Sequence, residues 1–221
     1  MSTTNKDEQT SQSAANDLPT KKQVTMDEEE FKAENRDDLL EDDENWFELR
    51  VEGKQPERRA NHSSFIVSNK MYIFGGYDMR EGPMASTWSF DLSNVGELQN
   101  SDLHADSMPS MTWQPIQANG VKKPGSLSDH TSVIYNKKMY LYGGSQGLSS
   151  NGTLYSFDPL TNLWDPVRCK PVGEFDPNKP PEVDEHTAVV WDDDMIIFGG
   201  FVDGERSNSI YKFNFKSGEW T

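Results

Sequence analysis

Three stretches of this chain lie over one another almost residue for residue: His62-Ser-Ser-Phe-Ile-Val-Ser-Asn-Lys-Met-Tyr-Ile-Phe-Gly75-Gly76, His130-Thr-Ser-Val-Ile-Tyr-Asn-Lys-Lys-Met-Tyr-Leu-Tyr-Gly143-Gly144 and His186-Thr-Ala-Val-Val-Trp-Asp-Asp-Asp-Met-Ile-Ile-Phe-Gly199-Gly200. A fixed interval from histidine to paired glycine is the mark of an architecture that stacks one supersecondary unit. Within each copy an apolar, β-branched or aromatic run crosses a short polar bridge (Ser68–Lys70, Asn136–Lys138, Asp192–Asp194) and resumes at a methionine, which predicts a β-hairpin. The second arm is apolar at nearly every position, as expected of a strand covered on both faces. Glycine at its end permits a positive φ or a close approach of neighbouring backbone.

After each Gly-Gly a variable loop leads to a third apolar segment, Thr87-Trp-Ser-Phe-Asp91, Leu154-Tyr-Ser-Phe-Asp158 or Ile210-Tyr-Lys-Phe-Asn214. A tryptophan then marks a fourth: Trp113, Trp164 and Trp220. Four strands per unit predict a propeller blade. The hydrophobic hairpin, the Gly-Gly pair, the aromatic strand and the spaced tryptophan together resemble the kelch repeat. The resemblance implies an all-β, kelch-type β-propeller with about three four-stranded blades in the chain, a partial propeller, with repeat cores near 58–113, 126–164 and 182–221 of a region 45–221. Only the first copy carries the Pro-x-x-Arg-x-x-His lead-in frequent in kelch repeats, as Pro56-Glu-Arg-Arg59-Ala-Asn-His62; the others read Leu127-Ser-Asp-His130 and Val183-Asp-Glu-His186. The second and third junctions are therefore expected to be held differently. An insertion from about Ser93 to Met111 is expected to be a long surface loop.

The formal charge of −16 is concentrated at the front. Residues 1–44 hold five basic against fourteen acidic side chains, about −9 of the total, with runs such as Asp27-Glu-Glu-Glu30. Such runs repel phosphate backbones and anionic lipid, so neither nucleic acid nor membrane is expected as a partner. This segment is expected to be a disordered acidic tail. From Met26 to Phe47 a weak amphipathic pattern fits either a short acidic helix or a solvated stretch. No apolar leader is visible at the front, and the lone Cys169 suits a reducing compartment, which places the chain in the cytoplasm or nucleus.

His62, His130 and His186 recur once per unit, whereas a catalytic group is needed at a single site, so they are read as structural, like Gly75, Gly76, Gly143, Gly144, Gly199, Gly200 and the three tryptophans. His104 lies in the insertion with no second nitrogen or thiolate at ligand spacing. Copper oxidases resembling galactose oxidase use kelch-type propellers, but need two tyrosines, two histidines and a cysteine joined to a tyrosine, a set that cannot be assembled here. No catalytic residue, metal or cofactor is expected, which leaves the metal-dependent oxidoreductase as the least favoured alternative.

In a propeller the loops at one face carry function. Those after Gly-Gly and those before each histidine are expected to open together, and they differ between copies. Arginine and aromatic side chains on stiff turns are good anchors for protein recognition, which makes Arg58, Arg59, Tyr77, Arg80, Phe201 and Arg206 the candidates, with a structural role open for Arg59. Kelch proteins of this kind are usually non-catalytic, protein-binding scaffolds or adaptors; the third copy also resembles segments of leucine-zipper-like regulators and Rab-effector kelch proteins. Propellers close with more blades than three. The arc is therefore expected to be a fragment, for instance the regulatory kelch region of a ubiquitin-ligase adaptor or phosphatase, or a half-ring that self-associates through its open blade edges.

Overall fold

Every arm anticipated from the repeat is a strand in the computed structural model, which describes residues 49–95, 111–170 and 180–221. The predicted tail at 1–44, Trp46, His104 and most of the insertion fall outside these residues. Blade 1 comprises β1 (Val51–Glu52), β2 (Ser63–Val67), β3 (Lys70–Phe74), the small hairpin β4 (Tyr77–Asp78) and β5 (Gly82–Pro83), β6 (Thr87–Asp91) and β7 (Met111–Ile116). Blade 2 comprises β8 (Thr131–Tyr135), β9 (Lys138–Tyr142), β10 (Tyr155–Asp158) and β11 (Leu163–Pro166). Blade 3 comprises β12 (Thr187–Trp191), β13 (Asp194–Phe198), the hairpin β14 (Phe201–Val202) and β15 (Glu205–Arg206), β16 (Ile210–Asn214) and β17 (Glu219–Trp220).

Blades 2 and 3 are four-stranded antiparallel sheets in chain order, β8-β9-β10-β11 and β12-β13-β16-β17. Blade 1 has the same order, β2-β3-β6-β7, with an addition the repeat did not announce: β1 pairs parallel with β7 through Val51–Met111 and Glu52–Thr112. Met111, placed at the end of the surface insertion by sequence, is instead a buried member of β7. The polar bridges tighten to two residues, with Ser68 and Asn69 at φ 50° and 58°, and Asn136 and Lys137 at 49° and 63°. Two consecutive left-handed residues match the right-handed twist of the flanking strands.

Strand alternation gives every blade two apolar faces, and the blades stack through them. The trailing face of blade 1 (Phe65, Val67, Tyr72, Phe74) meets Met139, Leu141, Phe157 and Trp164 of blade 2. The opposite face of blade 2, with Val133 and Tyr142, meets Met195, Ile197, Phe213 and Trp220 of blade 3. Aromatic pairs knit each seam: Phe74 lies 4.8 Å from Trp164, and Tyr142 lies 5.0 Å from Trp220, between ring centroids. Contacts of this kind add ~1 kcal/mol each beyond the area they bury.

The glycine pair divides its work between two blades. A Cβ on the second glycine would strike its own blade's lead-in: at Gly76 it would meet the Ala60 carbonyl at 2.8 Å and the His62 Cβ at 2.9 Å. A Cβ on the first would strike the following blade: at Gly75 it would meet the Leu127 carbonyl at 2.5 Å and the His130 ring at 2.8 Å, and at Gly143 the Val183 carbonyl and His186 ring. Gly199 has the same left-handed backbone, φ 74°, but its nearest neighbour is the Ser207 carbonyl at 3.4 Å. Gly75→Ala and Gly143→Ala are therefore expected to prevent folding or remove several kcal/mol of stability, roughly 3 or more. Gly199→Ala is expected to incur only the left-handed backbone strain and so lose about 1–2 kcal/mol of stability. Chemical denaturation of the three variants checks the order.

Candidate protein-interaction face

The joints between blades position the loops that face outward. His130 Nε2 lies 2.9 Å from the Ser63 hydroxyl and His186 Nε2 lies 2.6 Å from the Thr131 hydroxyl, so each histidine grips the first residue of the preceding blade's inner strand. Beside that grip, Gly76 N–H donates to the Leu127 carbonyl and Gly144 N–H to the Val183 carbonyl, both at 2.8 Å. A third link runs between left-handed residues, with Asp129 N–H donating to the Asn61 carbonyl at 3.1 Å and Glu185 N–H to the Asp129 carbonyl at 2.9 Å. Leu127 and Val183, fully enclosed, fill the space between the blades. This is how the two junctions without the arginine lead-in are held.

Arg59 occupies the equivalent place in blade 1 and behaves differently. Its side chain is 4% exposed, and its guanidinium donates to the Gly75 carbonyl at 2.8 Å, the Ser86 hydroxyl at 3.1 Å and the Glu57 carboxylate at 3.1 Å. Arg59 is therefore a tie inside blade 1, the structural role that the sequence left open for it. With Nε–H donating to the Glu57 carbonyl as well, four of its five N–H groups are used within the blade.

The lead-in loop and the post-glycine loop of every blade are joined by reciprocal backbone hydrogen bonds. Ala60 and Tyr77 exchange two at 2.9 Å, Ser128 and Ser145 two at 3.0 and 2.7 Å, and Asp184 and Phe201 two at 3.2 and 2.8 Å. Both loop sets consequently emerge on one face, and the Ser150 hydroxyl ties blade 2 to blade 3 by donating to Asp184 at 2.8 Å. On this face Arg58, Tyr77, Arg80 and Arg206 are exposed, and Phe201 is half-buried under Arg206, whose guanidinium carbon sits 5.5 Å from its ring centroid. The Asp78 carboxylate accepts from the Arg80 and Glu81 backbone, which holds its pKa down and fixes the β4–β5 turn. Met79 and Leu148, passed over in sequence because their loops carry no repeat signal, are fully displayed apolar tips of the post-glycine loops of blades 1 and 2.

Among the described residues no three His, Cys, Asp or Glu side chains come together in a way that could hold a metal ion. The face is polar, with single apolar and cationic projections on short braced turns.

Radial four-stranded blades joined by a histidine and a glycine pair define a kelch-type propeller arc. The chain matches the KLHDC2/KLHL20/DRC7 Kelch-repeats domain over residues 35–175 and 96–221, and it belongs to the kelch-repeat family. It is similar to the Leucine-zipper-like transcriptional regulator 1 homolog of Drosophila melanogaster, 25% identical over 85% of this chain and 18% of the relative. It is also similar to Kelch domain-containing protein 3 of Homo sapiens, 29% identical over 79% of this chain and 43% of the relative. The chain thus spans less than half the length of these curated relatives.

Burial pushes the pKa of both joint histidines down to about 4, with the neighbouring His186 and His62 adding to the effect at His130 and Asp184 opposing it at His186. Their Nδ1 atoms are buried with no hydrogen-bond partner among the described residues. Folded histidines therefore stay neutral while unfolded ones protonate below about 6.5, so the unfolded state binds more protons and stability falls as pH drops from about 6.5 towards 4. Each histidine is expected to withdraw up to about 2 kcal/mol by pH 5. Melting temperatures measured from pH 7 to 5 are expected to fall steeply in the native chain, and much less in a His130→Gln, His186→Gln variant.

Proposed function

We propose that this chain is a non-catalytic, intracellular protein-binding module, a kelch scaffold or adaptor, and that it holds its partner on the face where lead-in and post-glycine loops meet. The observation that carries this reading is the reciprocal bonding of the two loops in every blade. It holds dissimilar side chains at fixed positions, so a partner need not bear the entropy of ordering long loops. Arg58, Tyr77, Arg80, Phe201 and Arg206 are the anchors, joined by Met79 and Leu148. Large aromatic and arginine side chains surrounded by polar rim dominate most protein interfaces. Membership of the kelch family supports the same reading, and the relatives' greater length favours a kelch region working within a larger protein.

The test is affinity capture of cellular proteins by the native chain and by two variants. Arg58→Glu, Arg80→Glu, Arg206→Glu is expected to weaken capture of specific partners by at least ~10-fold, since each interface anchor is worth roughly 1–2 kcal/mol. A control placed on the outer rim, Lys122→Glu with Lys170→Glu, is expected to leave capture unchanged. Partners retained equally by the arginine variant would place binding elsewhere on the molecule.

A further inference from the structure

The post-glycine loop of each blade closes on itself by the same backbone bond. Met84 N–H donates to the Gly76 carbonyl, Asn151 N–H to the Gly144 carbonyl and Ser207 N–H to the Gly200 carbonyl, all at 2.8 Å. The three residues are equivalent in place and different in chemistry. In blade 2 the asparagine is 8% exposed, and both polar groups of its amide are engaged. Nδ2 donates to the Gly143 carbonyl at 3.2 Å and to the Thr153 carbonyl at 2.9 Å, while Oδ1 accepts from Thr153 N–H at 3.2 Å. The Gly143 carbonyl is the counterpart of the Gly75 carbonyl that Arg59 holds in blade 1. Asn151 therefore supplies in blade 2, from the other loop, the bond that the lead-in arginine supplies in blade 1.

Glycine follows this asparagine, and the pair has a reactivity of its own. The backbone nitrogen of the next residue can close a five-membered ring on an asparagine's amide carbon, and a residue with no Cβ leaves that approach open. Here the fold withholds the reaction. The amide is clamped by three hydrogen bonds, and a Cβ on Gly152 would lie 2.8 Å from Glu182 Cγ, so the pair is packed against the lead-in of blade 3. The chain's other such pair is Asn119–Gly120, whose side chain is exposed and donates to the Thr161 carbonyl at 3.0 Å. Conversion there would bury no charge, whereas conversion at Asn151 would.

We propose that Asn151–Gly152 is a latent deamidation site, closed while the post-glycine loop of blade 2 is seated, and that its conversion releases this loop. On opening, the Gly152 backbone nitrogen loses its proton and attacks Asn151 Cγ. The bond from Cγ to Nδ2 breaks, ammonia leaves and a succinimide ring remains. Water then adds at one ring carbonyl and breaks its bond to the ring nitrogen, giving aspartate, or isoaspartate with the main chain routed through the side-chain carbon. The balance is one water in and one ammonia out, with no oxidant, reductant or enzyme.

The product sets a carboxylate oxygen against the Gly143 and Thr153 carbonyls to which the amide had donated. Acceptors left unpaired beside a buried charge are costly. The His186 ring lies against Gly143, and the neighbouring Gly144 N–H donates to the Val183 carbonyl, so the loss reaches the joint between blades 2 and 3. The site stands apart from the protein-binding reading above, since it needs no partner.

The test ages the full chain in mildly alkaline buffer, folded and in urea, and follows ammonia loss at Asn151 by peptide mass. Conversion is expected to be at least ~10-fold slower in the folded chain, a factor set by the free energy of local opening. Hydrogen exchange is then read on the converted and unconverted forms of the peptide spanning 143–155 in one aged sample. The Gly144 and Ser145 amides are expected to exchange ~10- to 100-fold faster after conversion, and Asn151→Asp is expected to reproduce the change. Gly152→Ala, to which only the exposed Glu182 side chain must yield, is expected to keep native exchange and to suppress ageing at Asn151. Asn151 that converts as fast folded as in urea, or that resists conversion in both, overturns the proposal. So does exchange at Gly144 and Ser145 that conversion leaves unchanged, or ageing that persists in Gly152→Ala.

Discussion

Everything in this arc depends on the entry of one blade's histidine into the space that the preceding blade's first glycine leaves open. The ring, the Ser63 or Thr131 hydroxyl and the glycine backbone form a joint in which three groups are fixed by one another. Because the joint is buried, its hydrogen bonds are made in a low-dielectric setting, where leaving any partner unpaired is costly. Its position near the inner strands also sets where the lead-in loop departs. The loop then has one available neighbour, the post-glycine loop of its own blade, and the exchanged backbone bonds follow.

The repeat made the hairpins, the third and fourth strands and the blade count legible, because apolar alternation and glycine pairing are local signals. It aligned histidine and glycine within one copy, however, whereas the contact that matters joins Gly75 to His130 and Gly143 to His186 across copies. Such partners are distant in sequence and appear only when the blades are stacked. Arg59 was ambiguous for a related reason. An arginine before a turn can display or bury its charge, and the choice is made by the Gly75 carbonyl and Ser86 hydroxyl that await it. The parallel strand β1 had no signal at all, since two residues carry no periodicity.

The same contrast explains the outward face. Tyr77 and Phe201 sit at equivalent sites and make equivalent backbone bonds to Ala60 and Asp184, so their placement follows from the scaffold. Their chemistry does not. Tyr77 opens a turn closed by the Asp78 carboxylate, whereas Phe201 lies beneath Arg206 in a hairpin of its own. Repetition fixes where side chains emerge and leaves their identities free, which is the division of labour that lets one fold serve many partners.

Blade 3 is the place where scaffold and display bear on each other. Its sheet is covered on one face by Tyr142 and its neighbours, while Val189, Trp191 and Phe198 stand in water on the other. A sheet with half its apolar surface uncovered has a lower free energy of local opening than one enclosed on both sides. The hairpin that carries Phe201 and Arg206 grows directly from Gly199 and Gly200 at the edge of that sheet. Covering the trailing face would stabilise the strand from which the hairpin springs and so restrict the positions open to Phe201 and Arg206. The open seam and the Phe201–Arg206 hairpin are then two ends of one element, and order at the first limits motion at the second.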